Sequence, residues 1–421
     1  MKASRNHASS GYEIRHIGVL DGIRALAIII VVWFHFWQQS WLIPSVGEVS
    51  LDWLPRTGYL LVDCMILLSG FCLFLPYARG MVYGEKTAPA STFYMKRVAR
   101  IMPSYYVAVL VILFCFAIPG GEYVTTKDLW KDLIPHLTFT HNLFQSSSVM
   151  THLNGVLWTV AVEVQFYLFF PLLADAFRKK PMVTYWCMTA VGIISSLYIS
   201  TQFDTLNQGM VVNQTLTFAS VYANGMLGAW VYVAMTKNRQ KNREESIFWT
   251  MAALACVGIY KVMCEHRMSY AADTRWQVDY RYLLSLVFLL FVISVIMAVH
   301  WFQKIWDNRV MRFLAGISYN LYICHQYIAV KLKELRIPYW EGDTPPNQSG
   351  DKVWMWKYFL LCVGITMLVA VAMTYLIERP AAKWIMRQWE KHKGTTVQTS
   401  AGKHSQTGNA SVKKRGSKKK K

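Results

Sequence analysis

Ten stretches of this chain, each about twenty residues long and mostly Leu, Ile, Val, Phe and Ala, narrow its fold more than any other feature. A helix of about 20 apolar residues crosses a bilayer core of roughly 30 Å. Inside hydrocarbon such a segment must satisfy its own backbone polar groups. The stretches cover 18–38, 57–78, 102–118, 156–177, 182–201, 216–236, 247–264, 281–300, 313–332 and 357–378. They predict an all-α, polytopic membrane bundle of about ten transmembrane helices, the ninth being the weakest because polar GISYN interrupts it. With 54% hydrophobic and only 16% charged residues, a soluble globular fold is excluded.

An even number of spans puts both termini on one side, and the basic residues say which. The two termini and the loops at 79–101, 178–181, 237–246 and 301–312 hold 31 Lys and Arg. The opposite loops, together with the span ends that face them, hold 12, and Arg24 is the remaining one of 44. By the positive-inside rule both termini are expected in the cytoplasm and the protein in the plasma membrane. The net charge of +20 therefore points to anionic membrane lipids as partner and not to nucleic acid.

Three regions are expected: a cytoplasmic N-terminal segment 1–17, a membrane domain 18–385, and a disordered lysine-rich cytoplasmic tail 386–421. The first span comes after a short basic lead but lacks a small-residue cleavage pattern, so it is read as an uncleaved helix. Eight scattered cysteines without a CxxC pair suggest neither a disulfide framework nor a metal site. The loop at 119–155 is long enough to carry function, and reads as a short helix and then a flexible loop.

Against this apolar background the ionisable residues are costly and therefore informative. RALAIIIVVWFH places Arg24 and His35 eleven residues apart. On a helix that spacing puts them within about 20° of one face and about 16.5 Å apart along the axis. Asp63 and the Ser69-Gly70 step interrupt the second span, and Trp158 and Glu163 stand at the start of the fourth. Arg97 and Arg100, at i and i+3, precede Pro103 in the third; such guanidinium pairs hold phosphate well. His325 lies in ISYNLYICHQYI. Each has an ordinary structural reading, as a snorkelling arginine, a positive-inside signal or a packed histidine; their company is what argues otherwise.

Together these stretches resemble the acyltransferase 3 family of integral membrane acyltransferases. The resemblance rests on LDGIRALAIIIVVWFH, VDxxxxLSGF, FYMKRVARIMPSYY, LWTVAVEVQFYL, GISYNLYICH and YLIERPAAKW, which succeed one another in family order along nearly the whole chain. It implies transfer of an acyl group, acetyl above all, from a coenzyme A thioester to a hydroxyl of a carbohydrate, glycan or other cell-surface or small-molecule acceptor. No permanently bound cofactor is implied; acyl-CoA is a co-substrate. Two departures stand out, Met65-Ile66 where an aromatic pair is usual and CHQY where WHxP is usual.

On this resemblance His35 and Glu163 are the expected catalytic residues. Arg24, Arg97 and Arg100 are expected to hold the donor, and Asp63, Ser69, Trp158 and His325 to support the substrates. A hydroxyl attacking a thioester needs a base near neutrality, and an unperturbed histidine has a pKa of about 6.5. Glu163 is expected either to orient that imidazole or to pair with Arg24. The competing function is a transporter or flippase of an envelope precursor, since intramembrane charges also mark transport pathways. No further domain comes after the tenth span in this sequence, so the chain is expected to complete transfer itself or to hand the acyl group to a partner.

Overall fold

The computed structural model describes residues 17–202, 208–237, 242–270 and 273–392. Residues 1–16 and 393–421, which hold nearly all of the expected N-terminal segment and most of the expected tail, lie outside the described residues. The chain folds into an all-helical bundle whose long elements are α1 (Gly18–Ser40), α2 (Leu61–Tyr83), α3 (Ala90–Ile112), α4 (Thr126–Leu137), α5 (Trp158–Lys179) and α6 (Pro181–Thr201). They continue with α7 (Ala219–Thr236), α8 (Arg243–Ser269), α9 (Asp273–Met297), α10 (Arg309–Glu334) and α11 (Lys352–Ala372). π-Helical turns, Leu113–Ala117 and Met373–Glu378, extend α3 and α11, and the latter helix runs on to His392. A two-residue antiparallel ladder, Ser45–Val46 on Val49–Ser50, is the only sheet among the described residues.

Nine of these helices, together with their extensions, are long and apolar enough to cross a membrane among the described residues. α10, the ninth expected span, has 26 residues but falls short on hydropathy. Its polar residues explain why: Ser318, Asn320 and His325 are buried, so they lower the average without meeting lipid. α3 begins at Ala90 and not at 102, because the basic MKRVAR stretch continues the helix below the apolar run.

Glycines set how the helices meet. A β-carbon on Gly22 would lie 2.1 Å from the Trp306 carbonyl oxygen, so α1 rests directly on the end of the short helix His300–Trp306. Likewise a β-carbon on Gly70 would lie 2.8 Å from the Tyr222 carbonyl, and one on Gly225 2.3 Å from that of Leu67. Small residues at such a crossing let α2 and α7 pack backbone to backbone. These contacts fix the rotation of α1 and α2, and with it the direction of Arg24 and Ser69.

The segment between α3 and α5 does contain the expected helix, α4, but the chain beyond that helix is pinned and not loose. Asp132, 2% exposed, accepts hydrogen bonds from the Tyr123 hydroxyl (2.9 Å), the Thr151 hydroxyl (2.9 Å) and the His152 amide (3.0 Å). Asn154 donates to the Ile323 carbonyl on α10 (2.7 Å), and Gln165 on α5 donates to that of Phe139 (2.8 Å). His136 and His141 are buried and stacked, with ring centroids 4.1 Å apart. Burial and the adjacent His136 push the pKa of His141 down to about 3.

Candidate active site

A cavity of about 370 Å³ opens among α1, α2, α3, α5, α7 and α10. Arg24, Arg97, Arg100 and Glu163 all line it, and so do Ser69 and Cys72. Residues from the first four spans thus converge on one site. Arg24 turns its Nη2 to the Cys72 sulfur at 3.5 Å. The Arg97 guanidinium lies 5.7 Å from the ring centroid of Phe93 and 5.6 Å from that of Tyr167, both within cation–π range. Its Nε is buried with no hydrogen-bond partner among the described residues, so this cation keeps an unused donor.

Glu163 accepts hydrogen bonds from the Ser69 hydroxyl at 3.0 Å and from the Tyr167 hydroxyl one turn further along α5. Those bonds settle which neighbours it keeps: the carboxylate belongs to the arginine-lined cavity and does not bond to His35. The two expected catalytic residues are therefore not brought together.

His35 lies beyond the end of the cavity. The last residue of α1 to line the cavity is Ile28, and His35 comes seven residues later, about 10.5 Å further along the axis. There its Nδ1 is 3.0 Å from Gln38 Oε1 and 3.3 Å from Gln326 Nε2. The ring centroid of His325 is 4.9 Å away. His325 is fully buried, with Nδ1 2.6 Å from the Tyr322 carbonyl oxygen. Tyr322 stands between the two regions, since it lines the cavity and its backbone anchors His325.

The remaining expected residues are scattered. Ser69 is in the cavity, holding Glu163. Asp63 is away from it, ion-paired at 3.3 Å with Arg281 on α9, the two being 1% and 2% exposed. Arg281 also donates to the Val212 carbonyl (2.7 Å) and the Thr217 hydroxyl (3.0 Å), so this pair ties α2 to α9 and to the chain before α7. Trp158 stacks on Phe218 with centroids 5.9 Å apart, while its neighbour Thr159 faces the cavity.

Sequence reasoning passed over Tyr167, Tyr222, Tyr319 and Tyr322, all of which line the cavity. A signal existed: Tyr167 stands at i+4 from Glu163, and Ser318 and Tyr322 repeat that spacing on α10, so each pair shares a helical face. Gln38 and Gln326 were passed over too, being uncharged and ordinary in sequence.

Comparison with known proteins gives this geometry a context. The pattern that defines the acyltransferase 3 family, described as an acyltransferase domain, matches residues 17–375. The acyltransferase MdmB of Streptomyces mycarofaciens is 28% identical over 207 residues, 46% of this chain and 50% of that protein. The peptidoglycan O-acetyltransferase OatA of Listeria monocytogenes is 24% identical over 388 residues, 88% of this chain and 57% of that protein. The O-acetyltransferase OatA of Staphylococcus aureus is 23% identical over 387 residues, 88% of this chain and 58% of that protein. The chain thus spans about half the length of the curated relatives it matches. No solved structure matches it.

Proposed function

The chain belongs to the acyltransferase 3 family, and on that premise we propose that it is a membrane-embedded O-acyltransferase. Its donor is an acyl-CoA, acetyl-CoA first among them, and its acceptor is a hydroxyl of a carbohydrate, glycan or other cell-surface or small-molecule compound. The observation that carries this reading is the cavity itself. Three guanidinium groups from α1 and α3 line one hollow, and Arg97 keeps a buried donor that no described residue uses. Such a set fits a polyanionic ligand, since guanidinium groups bind phosphate through paired charge-assisted hydrogen bonds. The names of the two OatA relatives, O-acetyltransferases and one of them of peptidoglycan, support a glycan acceptor.

In this reading Arg24, Arg97 and Arg100 bind the phosphates of the donor from the basic, cytoplasmic end of the bundle. Glu163, held by Ser69 and Tyr167, balances their charge and fixes the cavity wall. The acyl-CoA supplies an activated carbonyl with a thiolate leaving group. His35 takes the proton of the acceptor hydroxyl as its oxygen attacks that carbonyl, and the proton passes to the departing thiolate. For donor and base to meet, the cavity must open past Tyr322, which lines it and anchors His325.

The test is transfer from radiolabelled acetyl-CoA to peptidoglycan fragments and simple sugars, with detergent-purified wild type and His35→Ala at matched amount and monodispersity. Wild-type labelling reduced about 10² to 10⁴-fold in the variant is expected, the usual contribution of a positioned base. Labelling that survives in His35→Ala, or that does not depend on the acyl donor in wild type, overturns the reading.

A further inference from the structure

His325 has a nitrogen with nothing to do. A carbonyl oxygen only accepts hydrogen bonds, so the 2.6 Å contact to Tyr322 requires the proton to be on Nδ1. Nε2 is then left with a lone pair, and it is buried without a partner among the described residues. Buried polar atoms of that kind are rare and call for a reason. The nearest titratable group is His35, whose ring centroid is 4.9 Å away, a separation that an N–H···N bond between two imidazoles can span. His35 in turn has one nitrogen engaged by Gln38 and Gln326.

We propose that His325 is a positioning residue for the reaction, with its Nε2 lone pair accepting a hydrogen bond from the imidazolium that forms on His35. The inference rests on the reading of His35 as the general base. As the acceptor oxygen bonds to the acyl carbon, its O–H bond breaks and the proton goes to His35. Neutral His35 accepts from Gln326 Nε2 at Nδ1 and carries its proton on Nε2, facing His325. The acceptor's proton enters at Nδ1, where Gln38 Oε1 can receive the new N–H, while His325 Nε2 accepts the Nε2–H. The Nδ1 proton goes to the thiolate once the C–S bond has broken. His325 stays neutral throughout, and its own Nδ1–H remains on Tyr322. The role is the one a buried carboxylate plays in triads, filled by an uncharged group suited to an apolar site.

The surroundings contain no rival for that role. On α10, Tyr322 and Gln326 flank His325; from α1, Phe36 meets its ring at 6.3 Å, and Gln38 is engaged with His35. The nearby loop contributes Asn154, which donates to the Ile323 carbonyl. α11 supplies Phe359 against Phe36, and the Thr366 carbonyl beside Cys324. Further along α10, Lys331 pairs with Glu122 at 3.4 Å and with Glu334 at 2.7 Å, and Lys333 Nζ donates to the Gln39 carbonyl at 2.7 Å. Among the described residues no carboxylate bonds to either ring.

The experiment compares wild type, His325→Ala, His325→Gln and His35→Ala in acetyl transfer between pH 5 and 8.5. With His325→Ala, kcat is expected to fall at least tenfold while the KM values for acetyl-CoA and acceptor stay within threefold. The acid limb of the kcat profile should move to lower pH, since the cation on His35 has lost its acceptor. His325→Gln, whose amide oxygen can accept, should recover part of kcat. A folded His325→Ala with wild-type kcat, or equal losses in Ala and Gln with the acid limb unmoved, would overturn the proposal and leave packing as the role. If His325→Ala does not fold, His325→Leu, which fills the space without an acceptor, takes its place: an acid limb lowered in Leu and restored in Gln supports the hydrogen bond, and the same acid limb in both refutes it. Full activity in His35→Ala would instead sink the reading of the base itself.

Discussion

Ser69 on α2 holds Glu163 on α5 through a 3.0 Å hydrogen bond, and that bond assigns the intramembrane acid to the arginine-lined cavity and not to the histidine. Glu163→Gln keeps an acceptor for Ser69 but removes a negative charge facing three guanidinium groups. The donor KM should therefore fall or hold, and the acid limb of turnover should stay in place. Were Glu163 to act on His35 as a triad carboxylate does, the acid limb would drop by about 1 to 3 pH units, the usual effect of losing an adjacent opposite charge. Measuring kcat and donor KM from pH 5 to 8.5 separates the two.

Replacing Arg97 and Arg100 together by alanine should act in the opposite direction. Each charge-assisted contact is worth roughly 1.5 to 3 kcal/mol, so the donor KM should rise at least about tenfold with the acceptor KM unchanged. A raised acceptor KM with an unaltered donor KM would mean that the cavity holds the acceptor.

Asp63 should matter for stability before activity. Removing one member of a buried ion pair costs about 3 to 5 kcal/mol, whereas replacing both by apolar residues can be neutral. In detergent, Asp63→Leu should lower the thermal midpoint markedly, and the Asp63→Leu, Arg281→Met double variant should recover most of the loss. An unchanged midpoint in the single variant, with a raised KM for either substrate, would place Asp63 in the site instead.

The stacked histidines of the cap predict acid sensitivity. His141 is held neutral when folded, with its pKa down at about 3, against about 6.5 when unfolded. Its contribution is thus complete above about pH 6.5 and is lost as the pH falls toward 3, because the unfolded state then binds more protons. The thermal midpoint should fall between pH 7 and 5, and less steeply in His141→Asn. Equal slopes in the two proteins would assign the acid sensitivity elsewhere.

What could be read from the sequence, and what could not, divides along physical lines. The spans were legible because hydrocarbon demands long apolar helices, and the costly residues stood out against them: Arg24, Arg97, Arg100 and Glu163 do share one cavity. The common face of Arg24 and His35 was legible, but not the distance between their surroundings, since helical phase says nothing of which neighbours close the gap. Asp63 looked like Glu163 in sequence; its partner Arg281 sits at the very edge of a predicted span, where an arginine reads as a boundary. Gln38, Gln326 and Tyr322 are visible only once α1 and α10 are packed together.

The closed layer above the cavity also bears on the energy of the membrane. Between Ile28 and His35, α1 buries Ile30, Val31 and Val32 at 7%, 0% and 7% exposure, and Tyr322, at 4%, is a wall of the cavity. An open passage from the arginines to His35 would leak protons and ions, and each charge crossing would dissipate about 2.3 kcal/mol per 100 mV of membrane potential. On the reading proposed above, phosphates remain with the arginines, the neutral thioester end of the donor reaches the histidine, and the thiolate leaves protonated as a neutral thiol, so no charged group must traverse the layer. On that reading the bundle would join two aqueous compartments chemically while keeping them insulated electrically.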